Sequence, residues 1–163
     1  MNLTSLWQPA GTVTFTATSH GVLMLFDLKG LAPGAHGIHI HTSGNCDPKA
    51  AFTSAGPHFS DDSKKMHGYL AEHSAHAGDL PNQFAASDGT LHATEISNAF
   101  SLGNGKKSIF DRDGASIIVT AKADDYISQP DGRSGDRVAC GVIMRTVAPG
   151  SRPHGGGGHR KRK

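Results

Sequence analysis

Apolar and polar residues alternate along the first part of the chain. Residues 11–19 read Gly-Thr-Val-Thr-Phe-Thr-Ala-Thr-Ser, which places Val13 and Phe15 on one face and threonines on the other. After a turn at residues 19–21, apolar residues again occupy every second position over residues 22–28. Alternation with a period of two is typical of half-buried strands, and two such runs joined by a short turn predict a hairpin.

Strand-like stretches return in the second half of the chain, at residues 90–97, 115–121 and 137–144. Turn signals at residues 103–105 and a polar loop at 124–136 separate them. Composition agrees with this pattern, because the 163 residues include 21 glycines and 8 prolines, which weaken helix interiors. We therefore predict one all-β domain, built as a sandwich or flattened barrel of short strands.

Charge is distributed unevenly along the chain. The formal net charge is +2, but residues 150–163 hold five of the 16 basic residues and none of the 14 acidic ones. The remaining residues, 1–149, carry 11 basic against 14 acidic groups, a net charge of −3. We interpret residues 1–149 as the domain and residues 150–163, rich in Gly and His, as a disordered basic tail. A solvated tail is favoured over a nucleic-acid arm, so no specific nucleic-acid partner is expected.

No apolar run in the sequence approaches the length of a membrane span. Residues 1–7 have neither the charged region nor the apolar region of a signal peptide. The sequence therefore predicts no membrane partner, and no export signal is expected in the chain as written.

The candidate chemistry is concentrated in residues 34–79, which contain seven histidines and a terminal carboxylate: His36, His39, His41, His58, His67, His73, His76 and Asp79. His39 and His41 lie two positions apart among β-branched residues, so a strand would place both imidazoles on one face, within reach of one metal ion. Residues 42–82 show no periodicity, and loops of about forty residues are uncommon in compact domains. A metal ion is the simplest agent that could order this loop.

Cys46 and Cys140 are the two cysteines of the chain, and neither belongs to a CxxC pair. The residues alone leave two interpretations open, two buried free thiols or one long-range disulfide. A bridge would close a loop of roughly a hundred residues and, on the chain-entropy model, contribute about 4 to 5 kcal/mol. It would also indicate an oxidising compartment.

Six segments of the chain resemble the copper/zinc superoxide dismutases, the bacterial branch most closely. In chain order they are GAHGIHIH at 34–41, SAGPHF at 54–59, HG at 67–68, HAGDLPN at 76–82, KADD at 122–125 and RVACGVI at 137–143. The similarity runs from about residue 11 to residue 146. It implies an eight-stranded antiparallel Greek-key β-barrel or sandwich, with metals outside the barrel wall under long metal-binding and electrostatic loops.

The resemblance also implies two metal sites. His39 and His41 match copper ligands, and His58 matches the imidazolate that bridges copper and zinc. The implied zinc ligands are His58, His67, His76 and Asp79. This is a closed set of three nitrogens and one oxygen, which tetrahedral Zn²⁺ accepts.

Further positions match the family in other roles. Asp124 matches the carboxylate that hydrogen-bonds both a copper histidine and a zinc histidine, and such partners fix ligand orientation. Arg137 matches the arginine that attracts and positions superoxide, so the implied catalytic residues are His58 and Arg137. Cys46 and Cys140 match the family's intramolecular disulfide.

One position departs from the family. A fourth copper-ligand histidine is expected where this chain has Thr120, whose hydroxyl is neutral and a poor ligand for copper. Copper is thereby left with His39, His41 and His58. Imidazole suits copper, so three histidines are expected still to bind it, with lowered occupancy.

Three other histidines are not assigned to a metal. His36 matches a structural histidine of the family, His73 matches no ligand and is expected to face solvent, and His92 lies inside a strand pattern.

The resemblance implies a superoxide dismutase, which converts superoxide to O₂ and H₂O₂ with one zinc ion and a loosely held Cu²⁺/Cu⁺ ion per chain. The alternatives are a non-catalytic, zinc-stabilised domain that binds a metal or a partner, and a histidine-rich copper carrier. The bacterial likeness and the disulfide imply the periplasm, while the missing export signal leaves the cytoplasm as the alternative. The family contains monomers and dimers, so a homodimer is an open expectation.

Overall fold

The computed structural model of the protein describes residues 2–5, 9–110 and 113–145. The basic tail predicted at residues 150–163 lies outside the described residues. Within the described part the chain forms nine strands: β1 (Asn2–Ser5), β2 (Pro9–Thr18), β3 (Gly21–Leu28), β4 (Gly34–His36), β5 (Ile38–His41), β6 (Gln83–Ala85), β7 (Leu91–Ser97), β8 (Ala115–Thr120) and β9 (Arg137–Ile143). None of the helices in that part is long and apolar enough to cross a membrane.

Seven of these strands form one sheet in the order β5-β8-β9-β1-β2-β3-β7, and β4 pairs with β6 in a separate ladder. All of these ladders are antiparallel. Neighbours such as β5 and β8 are far apart in sequence, as in the long-range returns of a Greek key. The predicted all-β, antiparallel class is confirmed.

The predicted hairpin is present as β2 and β3, which pair along nearly their whole length. Its alternating pattern sorts the side chains as expected. Val13, Met24 and Phe26 are buried in the main apolar core, while Thr14 and Thr16 are exposed. Burial of the apolar face contributes to stability in proportion to the area removed from water, at about 25 cal/mol per Å².

Three strands, β1, β4 and β6, have no counterpart in the sequence-based prediction. β1 is short and mostly polar, and it is held on both sides by ladders to β2 and β9. β4 and β6 are each three residues long and pair with one another. The sequence analysis missed them because such short strands depend on partners that are distant in sequence, which local periodicity does not reveal.

Strand β5 carries the candidate site, and all four of its residues are buried. Ile38 and Ile40 join the main apolar core. Because successive side chains of a strand point to opposite faces, His39 and His41 lie on the other side.

The long loop at residues 42–82 packs along the free edge of β5. The Ile40 N–H donates to the Gly78 carbonyl at 2.9 Å, and the Ile40 carbonyl accepts from the Phe59 N–H at 2.7 Å. Two short 3-10 helices within the loop, Pro48–Ala50 and Thr53–Ala55, add local turns. The sequence analysis named only a metal ion as the source of order, and backbone pairing to β5 is a second source.

Candidate metal centre

His39 and His41 are almost fully buried, at 0% and 1% exposure. His39 Nε2 donates to Asp124 Oδ2 at 2.7 Å, and His41 Nδ1 donates to the Gly56 carbonyl at 2.7 Å. A carboxylate and a carbonyl can only accept, so these contacts fix which ring nitrogen carries the proton. The other two nitrogens, His39 Nδ1 and His41 Nε2, are buried without a hydrogen-bond partner among the described residues.

Those two orphaned nitrogens have the character of metal ligands. Burial lowers the pKa of His39 and holds the pKa of His41 well below its usual range, so both rings are neutral. A neutral imidazole that donates from one nitrogen offers a lone pair on the other. Leaving two such lone pairs buried and unpaired is unfavourable, and a bound cation would satisfy both.

His58 lies between these histidines and a second cluster. Its ring stacks on His39 with centroids 4.1 Å apart and meets His41 edge-on at 4.9 Å. On its other side, His58 Nδ1 lies 3.0 Å from Asp79 Oδ1. One ring therefore contacts both halves of the centre.

Asp79 lies near all three histidines of the second cluster, which are His58, His67 and His76. Its Oδ1 lies 2.9 Å from His67 Nδ1 and 3.8 Å from His76 Nδ1, and the Nδ1 atoms of His58 and His67 are 3.2 Å apart. Ligands at about 2.0 Å from a tetrahedral zinc ion are separated by about 3.3 Å, which matches this spacing. Among the described residues, His39, His58, His67 and Asp79 form a group of four donors whose ligand atoms all lie within 4.8 Å of one another.

The carboxylate of Asp79 is oriented by backbone donors. Its Oδ2 accepts from the N–H groups of Gly68, at 3.0 Å, and His76, at 3.1 Å. Burial raises the pKa of Asp79, but the hydrogen bonds from His58, His67 and Gly68 outweigh it and hold the pKa well below its usual range. Asp79 is thus an anion that faces the histidines.

Asp124 joins the two halves of the centre, and the structure brings it to both predicted partners. One carboxylate oxygen accepts from His39 Nε2, as described, and the other accepts from His67 Nε2 at 2.9 Å. A β-carbon at Gly132 would overlap the Asp124 carboxylate, so that position needs a glycine. Burial raises the pKa of Asp124, and the hydrogen bonds from His39 and His67 lower it further than burial raises it.

Asp124→Asn is expected to weaken metal binding by about 10- to 100-fold, the usual cost of changing a hydrogen-bond partner of metal ligands. The amide keeps the size of the carboxylate but can no longer accept from both His39 and His67. Zinc and copper affinities can be measured by competition with a chromophoric chelator. Asp125→Asn is the matched control, because its exposed carboxylate contacts Ser128 and not the histidines. Equal losses in both variants would contradict this role.

Arg137 lies at the edge of a cavity of about 100 Å³ that is also lined by His41, His58, Thr120 and Asp131. Its guanidinium donates to the Phe52 and Gly56 carbonyls, both at 2.8 Å. The Gly56 carbonyl accepts from Arg137 and His41 together. The predicted arginine therefore lines the same cavity as His41 and His58, two of the three predicted copper histidines.

Thr120 faces the same cavity and is 4% exposed. Its hydroxyl lies 3.1 Å from the carbonyls of both Gly37 and Lys122. A single O–H therefore serves two backbone acceptors, and nothing about its surroundings makes it a better metal ligand.

The three histidines that were assigned no metal, His36, His73 and His92, lie outside the centre. Both ring nitrogens of His36 contact backbone carbonyls, those of Thr120 at 2.7 Å and Ala32 at 2.6 Å. His73 is exposed. His92 is exposed on β7, and its Nδ1 lies 3.2 Å from Asp27.

Cys46 and Cys140 form a disulfide, with their Cα atoms 5.7 Å apart, and the alternative of two free thiols is thereby excluded. Cys140 packs with Phe52, Ala55 and Ile118 in a second apolar cluster, against which Cys46 also lies. The bridge ties the start of the long loop to β9.

The sequence analysis missed Gln129 as a supporting residue. Its side-chain amide accepts from the His67 N–H at 2.8 Å and donates to the His67 carbonyl at 2.7 Å, which fixes the backbone of that histidine. Tyr69 was missed as well, and its hydroxyl donates to the Asp79 carbonyl at 2.6 Å. No local signal in the sequence marks either residue, because each contact spans a loop.

Comparison with known proteins gives consistent results. The sequence model of copper/zinc superoxide dismutase matches residues 9–143. A copper/zinc superoxide dismutase from Caulobacter vibrioides is 46% identical over 138 residues, which cover 83% of this chain and 79% of the relative.

Solved structures of two other proteins have a fold similar to that of this chain. A superoxide dismutase-like protein from Bacillus subtilis superposes with a TM-score of 0.82 at 32% identity, covering 88% of this chain and 96% of that one. The Cu/Zn superoxide dismutase from Brucella abortus gives a TM-score of 0.70 at 26% identity, covering 88% and 97%.

Proposed function

The chain belongs to the copper/zinc superoxide dismutase family, and on this premise we propose that it converts two superoxide anions and two protons to O₂ and H₂O₂. The observation that carries this proposal is the pair of buried, unpartnered nitrogens on His39 and His41. The cavity beside them is lined by His41, His58 and Arg137. Copper, when bound, supplies the one-electron chemistry.

We assign zinc to His58, His67, His76 and Asp79. His76 replaces His39 of the four-donor group for two reasons. His39 Nε2 donates its proton to Asp124, and the other ring nitrogen, Nδ1, is the one that we assign to copper. His76 Nδ1, by contrast, is buried without a hydrogen-bond partner among the described residues and faces Asp79.

The copper ligands are then His39, His41 and His58, with Thr120 in place of a fourth. Three imidazoles and no charged ligand bind copper less tightly than four, so lowered occupancy follows. Among the chain's own groups, the Arg137 guanidinium is placed to donate hydrogen bonds to a small anion in the cavity. His58 is the ring placed to hold and release a proton at Nε2 there, since its Nδ1 faces Asp79.

The test is metal content per chain after reconstitution, together with superoxide turnover. We expect one zinc ion per chain, less than one copper ion under competition with a chelator, and turnover in proportion to copper. Full copper occupancy with turnover equal to that of four-histidine relatives would contradict the weakened site. Zinc with neither copper nor turnover would favour the non-catalytic, zinc-stabilised domain, for which Thr120 is the supporting observation.

Zinc binding is expected to strengthen with pH because His67 must lose a proton. Burial lowers the pKa of His67, but hydrogen bonds to Asp124 and Asp79 raise it overall, from 6.5 to about 9. Burial lowers the pKa values of His58 and His76, so those rings are neutral near pH 7.5. Zinc therefore displaces about one proton, and affinity rises about tenfold per pH unit until it flattens near pH 9.

Whereas zinc affinity should rise with pH, the stability of the metal-free protein should fall as pH rises. Because the pKa of His67 is raised on folding, its stabilisation is complete below pH 6.5 and is lost as pH rises through about 9.

Calorimetry in two buffers of different ionisation enthalpy counts the protons released on zinc binding. A His92→Ala variant controls for surface histidines. Zinc affinity that is flat from pH 6.5 to 8.5 would show that His67 is already neutral.

We further propose that residues 1–149 form the dismutase domain and that it works in an oxidising compartment, the periplasm by family likeness. The match over residues 9–143 supports the first proposal, and the Cys46–Cys140 disulfide supports the second. The cytoplasm is the alternative, in which the bridge would tend to be reduced. The homodimer stays a prediction.

A further inference from the structure

We propose that Gln129 is a positioning residue that holds the wall of the copper cavity against the zinc half of the centre. The inference rests on the proposed zinc site, because the partner of Gln129 is His67, an assigned zinc ligand. Gln129 directly precedes residues 130–135, which we call the wall segment. That segment supplies four of the residues that line the cavity of about 100 Å³: Pro130, Asp131, Ser134 and Gly135.

The side-chain amide of Gln129 bonds to both main-chain groups of His67. Its Oε1 accepts from the His67 N–H at 2.8 Å, and its Nε2 donates to the His67 carbonyl at 2.7 Å. A carboxamide carries an acceptor and a donor side by side, so one side chain can satisfy both groups. His67 is fully buried, and its main-chain groups would need other partners inside the fold if Gln129 were absent.

No other hydrogen bonds join residues 127–136 to the long loop at residues 42–82 within the part of the chain that the structure describes. The start of the 124–136 loop is held separately, because the Asn82 side chain bonds to both main-chain groups of Asp124. Its last residues bond to the two residues that follow β8. The middle of the loop is therefore hydrogen-bonded to the zinc half through Gln129.

Packing in the wall segment adds close contact but no further hydrogen bond to the long loop. Gly132 lies against the Asp124 carboxylate, and its N–H donates within its own loop, to the Ser128 carbonyl at 2.7 Å. Gln129 itself is exposed. Replacing it would therefore remove its hydrogen bonds to His67 without opening a hole in the apolar core.

This arrangement couples zinc binding to the order of the wall segment. With zinc bound, the His67 ring is fixed, and the two hydrogen bonds of Gln129 extend that order to the segment that follows it. A coupling between two sites is reciprocal, so a wall segment that is held in place should also favour zinc binding. Loss of Gln129 should therefore affect both the cavity wall and zinc affinity.

The experiment compares the full chain with Gln129→Met, which keeps the length of the side chain and removes both hydrogen bonds. Arg133 is an exposed arginine within the wall segment, so trypsin cleavage after Arg133, detected by mass spectrometry, reports how often the segment opens. Zinc should protect the wild type. At saturating zinc, we expect Gln129→Met to be cleaved about tenfold faster than wild type or more, because two hydrogen bonds are lost. Zinc affinity by chelator competition should fall by about 10- to 100-fold.

Saturating zinc separates positioning from weaker zinc binding. If the segment opened only because zinc had left, full zinc occupancy would restore wild-type protection in Gln129→Met. That result would overturn the proposal and leave the zinc site intact. Zinc binding that does not protect Arg133 in the wild type would overturn it as well. A wild-type chain that binds no zinc would overturn both the proposal and the zinc assignment.

Gln83→Met is the matched control. Gln83 is a half-buried glutamine whose amide lies 3.3 Å from the Pro81 carbonyl and from the Glu95 carboxylate, and it makes no contact with His67 among these hydrogen bonds. This variant should match wild type in zinc affinity and in protection of Arg133. Faster cleavage in both variants would contradict a specific role of Gln129.

Discussion

Replacing Thr120 with histidine is expected to strengthen copper binding on the order of 100-fold and to raise superoxide turnover with it. The basis is that changing even a hydrogen-bond partner of a metal ligand alters affinity by about 10- to 100-fold, and a ligand itself should matter at least as much. Thr120 faces the cavity beside His41 and His58, which has room of about 100 Å³ for an imidazole. Copper affinity by chelator competition and turnover at full copper loading are the measurements.

The Thr120→His variant is expected to lose little stability. The two carbonyls that Thr120 contacts have other donors, since the Gly37 carbonyl also accepts from the Thr120 N–H and the Lys122 carbonyl from the Gly37 N–H. Loss of the hydroxyl should therefore cost about 1 kcal/mol of stability.

Thr120→Val is the matched control for the histidine substitution. It removes the hydroxyl, keeps the shape and adds no ligand, so copper affinity should stay at the wild-type value. If Thr120→His gained neither copper nor turnover, position 120 would not be a ligand position in this chain. If Thr120→Val weakened copper, the hydroxyl itself would be a ligand.

The strands with regular alternation could be predicted from the sequence, and the short ones could not. The hairpin of β2 and β3 and the histidine strand β5 follow from the spacing of apolar residues. β1, β4 and β6 do not, because their few residues gain stability only from partners elsewhere in the chain. Periodicity records which face is buried, not which neighbour buries it.

Part of the candidate site could likewise be predicted from the sequence, and part could not. Alternation alone predicts that His39 and His41 share a face. The path from His39 through Asp124 to His67 joins segments that lie far apart in sequence, so only the family resemblance pointed to it before the fold was known.

Loss of the Cys46–Cys140 disulfide is expected to be the largest single stability change in the molecule. The bridge joins residues 94 positions apart, and the chain-entropy model gives about 4 to 5 kcal/mol for closing a loop of that length. For a domain of this size that corresponds to a fall in melting temperature of about 10 to 20 °C. Thermal unfolding of the zinc-loaded protein with and without reductant is the measurement.

Loss of the disulfide should lower activity at the candidate site as well as stability. Cys46 anchors the segment that carries Phe52 and Gly56, whose carbonyls hold the Arg137 guanidinium. Phe52 also packs beside Cys140 in the second apolar cluster. A freed segment would leave Arg137 less well oriented, so turnover per bound copper should fall together with stability.

The control for the reductant is a Cys46→Ser, Cys140→Ala double variant, in which alanine avoids burying a hydroxyl at the inner position. It should melt where reduced wild type melts and should not respond to reductant. A melting temperature within a few degrees of the oxidised protein would mean that packing of Phe52 and Ala55 holds the segment without the bridge. Since domains are stable by only about 5 to 15 kcal/mol, losing about 4 to 5 kcal/mol would remove from about a third to nearly all of that stability, so the reduced chain would depend more on zinc to stay folded. That dependence is the physical reason to expect this protein to work where disulfides persist.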